Sequence, residues 1–314
     1  MNKSKKPIIA VFGGTGRQGG SVTRYLRAHG GFRVRVITRN PSNAQGIADE
    51  VVYGNLTKPE TLDTALKGAD GVFLVTNYWA KATIEDWAQT PSKEWSDPVD
   101  EFAQGKATVE AAKRAGVKHF VWSTLPDTKQ ISSGAFNIPF WTGKAKLDDV
   151  VSNAGFDHYS FVEPPFYYQN FLKEMLPVPQ EDGTKAWNLP MQPELKVMHM
   201  ADIEQIGAIV LGAFLNPSKV GQGQHMSLCG GIYSWSDVVE IFKAQGHKVV
   251  FNQVPDETFD GLFPGAKNVR DSLNYMEGHT YFGPDADQKI DLAKTVATEP
   301  LTSLEDWVRK NISS

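Results

Sequence analysis

Three glycines near the start of the chain, Gly13, Gly16 and Gly19, follow an apolar run at intervals of three residues. In folds that bind a dinucleotide, the first such glycine permits a tight turn, the second lets the backbone approach a pyrophosphate, and the third lets the following helix pack closely on the sheet. The first N–H groups of that helix then face the phosphates with a partial positive charge. The spacing predicts a dinucleotide site made of these glycines with Thr15, Arg17 and Gln18.

Arg39 ends the second strand-like run and indicates which dinucleotide to expect. An acidic residue at this place binds the ribose 2′-hydroxyl of NAD, whereas an arginine accommodates the 2′-phosphate of NADP. Arg17, in the turn itself, could supply a second guanidinium for the phosphates. Each arginine could instead be a solvated surface charge, because arginine is mostly exposed. We expect NADP as the cofactor, with NAD bound more weakly.

The elements that must position these residues alternate between β-branched runs and helical patterns. Such alternation predicts an α/β fold with a Rossmann-type, doubly wound parallel sheet, whose ligands lie beyond the carboxyl ends of the strands. We expect a Rossmann domain over 1–163 and a smaller α/β region over 164–314. The predicted strands are 8–12, 33–38, 50–53, 71–75, 119–123 and 157–162. The candidate cofactor residues that follow them are Asn55, Leu56, Thr76, Asn77, Tyr78, Pro165 and Phe166.

The composition of the 314 residues is that of an ordinary soluble globular protein, with 41% hydrophobic and 22% charged residues. A net charge of −4 gives no electrostatic footprint for direct binding to nucleic acid. No apolar stretch approaches the length of a membrane span, so we expect a cytoplasmic or nuclear protein. The one cysteine, Cys229, favours packing over nucleophilic chemistry, and no histidine spacing implies a metal.

Several later segments carry weaker signals. The segment from Trp79 to Pro98, with Trp79, Trp87 and Trp95, is long for a connection and could be a lid or a local aromatic cluster. We expect His199–Ile203 to open a helix that Asp202 caps, Ser234 to begin another, and 301–308 to form the last.

On these motifs, together with Ser123-Thr124-Leu125-Pro126-Asp127 and the run Pro139 to Lys144, the chain resembles the NmrA-like family of atypical short-chain dehydrogenases. The similarity runs nearly from end to end. The resemblance implies a Rossmann domain that binds NADP or NAD. It also implies a regulatory protein that senses the redox state of the dinucleotide through protein contacts.

The resemblance also raises a question about catalysis. Active members of the superfamily use Tyr-x-x-x-Lys with an upstream serine, but Phe140 stands at the tyrosine position here. The resemblance implies that Lys144 bonds the nicotinamide ribose and that Ser123 or Thr124 lines the site. Relatives similar to isoflavone reductase also lack the tyrosine and use a lysine as acid and base, so Lys144 is a candidate catalytic residue, with Ser123 as the second.

Other polar groups near the expected site are ambiguous. Tyr78, Tyr167 and Tyr168 could reach the nicotinamide end, although aromatic packing is the simpler explanation. Glu163 departs from the family, in which this position is commonly basic or apolar. We expect an exposed loop charge there, and the alternative is a buried acid with a raised pKa beside the cofactor.

Two functions follow from an intact phosphate site next to a missing proton donor. The first is an NADP(H)-binding regulator that acts through a protein partner, which must bind the two cofactor states differently. The second is an NADPH-dependent reductase of quinones, enones or small carbonyl compounds, with a small-molecule substrate in an aromatic pocket. The sequence leaves open the partner, the substrate and whether the protein is an oligomer.

Overall fold

The computed structural model describes residues 6–78, 100–263 and 265–313. Its centre is a parallel seven-stranded sheet in the order β11-β6-β5-β4-β1-β2-β3. Successive strands are added on one side of β1 up to β3 and on its other side from β4 onward. This reversal of strand order creates a crevice between β1 and β4, where ligands of such sheets bind. The strands of this sheet are β1 (Ile8–Phe12), β2 (Arg33–Thr38), β3 (Glu50–Tyr53), β4 (Gly71–Leu74), β5 (His119–Ser123), β6 (His158–Glu163) and β11 (Gln222–Ser227).

Helices cover both faces of the sheet, and for this reason β1 and β4 at its centre carry no polar side chains; all five residues of β1 are buried. One face packs against α1 (Arg17–His29), α6 (Ile206–Leu215) and α11 (Ala286–Val296). The other face packs against α2 (Leu62–Leu66), α3 (Glu101–Arg114) and α5 (Pro139–Ser152). The remaining helices are α4 (Thr128–Ile131), α7 (Pro217–Val220), α8 (Trp235–Ala244), α9 (Asp256–Asp260), α10 (Ala266–His279) and α12 (Leu304–Asn311).

The C-terminal half contains two small sheets and an aromatic core. One sheet has the order β12-β10-β7 and the other β13-β9-β8. Trp187, Trp235 and Phe242 lie at the centre of this core with rings 5.1 to 5.7 Å apart. The strands are β7 (Phe166–Tyr167), β8 (Val178–Pro179), β9 (Lys185–Leu189), β10 (Met198–Ala201), β12 (Gly231–Tyr233) and β13 (Val249–Gln253).

The α/β fold and its six predicted strands are confirmed, with the fourth and sixth strands ending one residue from their expected bounds. The structure adds β11, which comes from beyond residue 163 and pairs with β6, with Ser227 opposite Glu163. The proposed division into 1–163 and 164–314 stays a prediction.

The expected helix starts have mixed outcomes. Ser234 caps α8 through a capping box with Asp237, as predicted. The helix expected after His199 is confirmed as α6 from Ile206 on, behind a short 3-10 turn that Asp202 caps. Its expected start at His199 is wrong, because Met198–Ala201 forms β10. The tryptophan-rich segment 79–98 lies outside the described residues. Within the part of the chain that the structure describes, no helix has the length and apolar character of a membrane span.

Candidate functional site

The glycine turn between β1 and α1 has the conformation that its spacing predicts. Gly13 has a φ of +67°, a left-handed conformation that favours glycine, and its carbonyl accepts the Gly16 N–H at 2.8 Å. A Cβ on Gly19 would lie 2.4 Å from the Gly13 carbonyl oxygen, so the close packing of α1 on this turn requires glycine. No side chain caps the first N–H groups of α1, and its first turn has no acidic residue. Gly13, Thr15 and Gly16 are exposed, so the turn fits a phosphate group.

Residues at the ends of the second and third strands border the same edge of the sheet. Arg39 is exposed and makes no ion pair within the described residues, so its guanidinium is free to meet a phosphate. The Asn55 side chain accepts hydrogen bonds from Thr57, and Leu56 packs partly against the core. Arg39 is therefore placed where the sequence expects a 2′-phosphate contact, and that role stays a prediction.

Arg17 ties the glycine turn to the segment after β7. Its guanidinium lies 2.8 Å from the Glu174 carboxylate and 3.4 Å from the Asn170 side-chain oxygen. Both members of the ion pair are half-exposed, where such a pair contributes at most about 1 kcal/mol. A phosphate could therefore replace Glu174 as the partner of Arg17 at little cost.

Gln18 connects two hydroxyl groups from different parts of the chain. The Ser123 hydroxyl, at the end of β5, donates to Gln18 Oε1 at 2.7 Å, and Gln18 Nε2 donates to the Tyr167 hydroxyl at 2.9 Å. The structure thus brings Ser123 next to the glycine turn, as a candidate site residue should be. Of the three tyrosines that the sequence left open, Tyr167 is the one with a hydrogen bond to Gln18 among the described residues.

The side chain of Lys144, in α5, donates hydrogen bonds to three acceptors. Its ammonium donates to the Thr76 carbonyl at 3.2 Å, the Thr76 hydroxyl at 3.0 Å and the Glu101 carboxylate at 2.7 Å. The Glu101 side chain is 2% exposed and that of Lys144 is 13% exposed, so the ion pair is buried. Since an ammonium has three protons, a hydroxyl of a bound ribose would have to replace one of these acceptors.

The aromatic candidates separate into two groups. Tyr78 is buried with its ring 6.0 Å from that of Phe140, and Asn77 beside it is exposed. Tyr168 packs against Trp307 in the C-terminal core and donates to the Thr302 carbonyl, a structural role. Pro165 is buried, and Phe166 is half-buried with its ring 5.6 Å from Phe171.

Glu163 is not the exposed loop charge that we expected, because it is fully buried. Its carboxylate accepts from Ser227 at 2.5 Å and from His225 at 3.0 Å, and Lys289 lies 3.3 Å away. Burial alone would raise the pKa of Glu163, but these donors hold it below its ordinary value. The alternative of a raised pKa is therefore also wrong in direction.

Asp148 adds a second, partly buried carboxylate to this cluster from α5, 3.9 Å from His225. Burial raises the pKa of Asp148 to about 7 against the attraction of His225. The pKa of His225 is also raised, because hydrogen bonding and charge from Glu163 outweigh its burial. Both shifts stabilise the protein at low pH, below the unfolded-state pKa of each group, and that stabilisation is lost as the pH rises through the folded-state pKa.

We therefore expect Asp148→Asn to remove part of this pH dependence. An amide does not ionise, so the variant should lose less unfolding free energy than the wild type between pH 4 and 7. At pH 8 the variant should be more stable than the wild type by about 2 kcal/mol. Each unit of pKa shift corresponds to about 1.4 kcal/mol, and we reduce the total because solvent screens the partly exposed carboxylate. Urea unfolding across this pH range measures it. Asp149→Asn, next in α5 and exposed, is the control, and equal pH profiles for all three proteins would contradict the prediction.

Cys229 is buried, and burial raises the pKa of its thiol to about 11, which supports the packing role. Within residues 6–78, 100–263 and 265–313, no cluster of three or more His, Cys, Asp or Glu side chains could hold a metal ion.

Sequence reasoning missed several polar residues of this site. Glu101 reaches Lys144 across 43 positions, and His225 reaches Glu163 across 62. No local spacing signals either pair. The one available signal for Glu163 was its place at the end of a strand, where burial is the rule for a parallel sheet.

Known proteins resemble this chain in sequence and in fold. The NmrA-like family domain-containing oxidoreductase lnaB of Aspergillus flavus is 28% identical over 98% of this chain and 98% of its own length. The crystal structure of NmrA, a negative transcriptional regulator in complex with NADP, has a TM-score of 0.77 at 24% identity, covering 98% of this chain and 96% of NmrA.

An NADPH-dependent quinone oxidoreductase of Escherichia coli, complexed with NADPH, has a TM-score of 0.73 at 17% identity, covering 96% of this chain and 99% of that protein. At these identities the structural matches show the fold. Residues 5–308 match the model of the NmrA-like family, and this protein belongs to that family.

Proposed function

We propose that this protein is an NADP(H)-dependent reductase of quinones, enones or other small carbonyl compounds. The observation that carries the proposal is the chain of polar groups beside the glycine turn. Ser123, Gln18 and Tyr167 are joined by hydrogen bonds at the point where a dinucleotide would lie. Two hydroxyl groups bridged by one amide give this place polar groups that a reduced substrate could use.

The residues present fit the cofactor. The uncapped start of α1 would face the pyrophosphate, and Arg39 would meet the 2′-phosphate of NADP. Lys144 would bond the nicotinamide ribose by exchanging one of its three acceptors. When bound, NADPH supplies a hydride. The name oxidoreductase given to the Aspergillus flavus relative, and the NADPH complex of the quinone oxidoreductase, support this assignment.

The missing tyrosine at position 140 does not argue against reduction. A general acid contributes about two to four powers of ten in rate, so its absence slows a reaction without preventing it. Quinones depend least on such a group, because the reduced oxygen is only weakly basic. Reduction of a quinone is therefore the activity that Phe140 limits least.

The test follows the absorbance of NADPH with near-stoichiometric protein and three probes, namely menadione, cyclohex-2-enone and benzaldehyde. We expect the wild type to oxidise NADPH with at least one probe, and Lys144→Met to reduce the rate at least tenfold because the ribose loses its contact. Lys146→Met, an exposed lysine of the same helix, is the matched control and should keep the wild-type rate.

A second variant guards against a loss of folding. Lys144→Met alone leaves the buried Glu101 carboxylate without its main cation, which costs about 3 to 5 kcal/mol. The double variant Glu101→Gln, Lys144→Met removes both charges of this ion pair and should fold while remaining slow. If no probe oxidises NADPH that remains bound to the wild type, the protein is not a reductase of these three classes.

That result would favour the second candidate, a regulator that reads the dinucleotide through a partner. One observation supports it: Arg17 holds the segment after β7 through Asn170 and Glu174. The same segment exposes Leu172 and Leu176, which are 50% and 59% exposed. A phosphate that drew Arg17 away would loosen a surface with apolar side chains, and signalling would require NADP⁺ and NADPH to do so unequally.

A further inference from the structure

Resting on the proposed reductase function, we infer that Tyr167 is the catalytic proton donor of this protein. Its hydroxyl would give the proton that Phe140 cannot, to the carbonyl oxygen of a planar, conjugated substrate. The proton donor would thus come from the strand β7, not from the helix α5 that carries Phe140 and Lys144.

The hydrogen bonds around Tyr167 leave its proton available. Ser123 uses its hydroxyl proton on Gln18 Oε1, so the other end of the amide, Nε2, points its proton at the Tyr167 oxygen. The Tyr167 hydroxyl therefore acts as an acceptor toward Gln18. Among the described residues no acceptor takes its own proton, which remains for a ligand.

The neighbourhood of Tyr167 is suited to a flat apolar molecule. Tyr281 is buried, and burial, with a smaller contribution from the nearby Tyr167 phenol, raises the pKa of Tyr281. The Tyr281 ring lies 4.5 Å from the ring of Trp141, which follows Phe140 in α5. Aromatic walls with few hydroxyl groups favour conjugated carbonyl compounds over sugars or charged substrates.

The state of the phenol matches the role of a donor. Burial raises the pKa of Tyr167 above its ordinary value, while the hydrogen bond from Gln18 and the charge of Arg17 oppose the shift. The phenol is therefore protonated at neutral pH. After it gives up its proton, the resulting phenolate keeps the Gln18 Nε2 donor and the nearby Arg17 charge as stabilising groups.

The step balances without a further reagent. The carbon of the substrate receives the hydride that bound NADPH supplies, and the electron pair of the C=O π bond moves to the oxygen. That oxygen takes the proton of Tyr167, so that one O–H bond breaks and another forms. Water returns a proton to the phenolate. An enone or aldehyde oxygen becomes strongly basic on reduction and a quinone oxygen much less so, so the first two depend more on Tyr167.

The test compares Tyr167→Phe with Tyr168→Phe, the adjacent tyrosine whose hydroxyl bonds the Thr302 carbonyl in the C-terminal core. With cyclohex-2-enone and benzaldehyde we expect Tyr167→Phe to slow NADPH oxidation about 100-fold, and with menadione less than tenfold. Tyr168→Phe should keep the wild-type rate with every probe. Thermal unfolding verifies that both variants fold.

A binding measurement separates the hydrogen bond from turnover. With NADP⁺ in place of NADPH no hydride can move, so the probe that the wild type reduces fastest binds unchanged. We expect Tyr167→Phe to weaken this binding about fivefold, as the loss of one hydrogen bond does. If Tyr167→Phe and Tyr168→Phe have equal rates and equal affinities, Tyr167 is not the proton donor, and the proposed reductase function still stands. A wild type that oxidises no bound NADPH would overturn the reductase function as well.

Discussion

We expect Gly19→Ala to abolish dinucleotide binding and to lower the free energy of unfolding by about 3 kcal/mol, the upper end for overpacking in a site that cannot relax. The added methyl group would lie 2.4 Å from the Gly13 carbonyl oxygen and 2.6 Å from that of Phe12. Both obstacles are backbone atoms of the turn itself. To avoid this clash, α1 must move away from β1. The N–H groups at the start of α1 would then no longer be positioned together for a pyrophosphate.

Gly20→Ala is the matched control one residue along α1. There the nearest atoms to a new Cβ lie 3.4 Å away, at ordinary contact distance, and alanine favours a helix over glycine. This variant should keep both stability and binding. Urea unfolding gives the first quantity, and titration calorimetry with NADP⁺ gives the second. A Gly19→Ala protein that binds NADP⁺ like the wild type would show that the dinucleotide does not use this turn.

The second large effect concerns the choice between NADP and NAD. We expect Arg39→Asp to reduce the preference for NADP at least 100-fold. The variant loses charge-assisted hydrogen bonds to the 2′-phosphate, which contribute about 1.5 to 3 kcal/mol each, and gains a carboxylate that repels it. The same carboxylate can accept from the ribose 2′-hydroxyl of NAD, so affinity for NAD should be kept or improved.

Dissociation constants for NADP⁺ and NAD⁺, measured at one ionic strength because exposed charges are screened by salt, test this prediction. Arg309→Asp, on the exposed surface of α12, has the same change of charge far along the chain and is the control. An unchanged ratio of the two constants in Arg39→Asp would remove this arginine from the cofactor site.

The central sheet was predictable because its signals are local. Each strand from β1 to β6 is a short run with β-branched or aromatic residues followed by a turn, and the glycine spacing marks the place where the first strand meets its helix. The strand β11 escaped this reasoning, since Gln222–Ser227 has the sequence QGQHMS, with only one apolar side chain. β11 belongs to the sheet because it pairs with β6, and the sequence of six residues alone does not predict that pairing.

The site divides in the same way. Gly13, Gly19 and Arg39 could be named as candidates from their spacing along the chain alone. The partners of Lys144 and Glu163 could not, because Glu101, His225 and Lys289 become neighbours only through the packing of separate elements. The sequence also suggested three tyrosines equally, and only the contact with Gln18 distinguishes Tyr167 from the others.

The late strand β11 also constrains how the protein is made. When the first six strands have left the ribosome, β6 is an open edge that could pair with another nascent chain. At that stage the hydrogen-bond partners of Glu163, His225 and Ser227, are not yet synthesised. Lys289 lies 126 residues beyond Glu163 and is made later still. β6 is covered, and the Glu163 carboxylate gains its counter-charges, only when the C-terminal half emerges and β11 becomes the edge strand in its place.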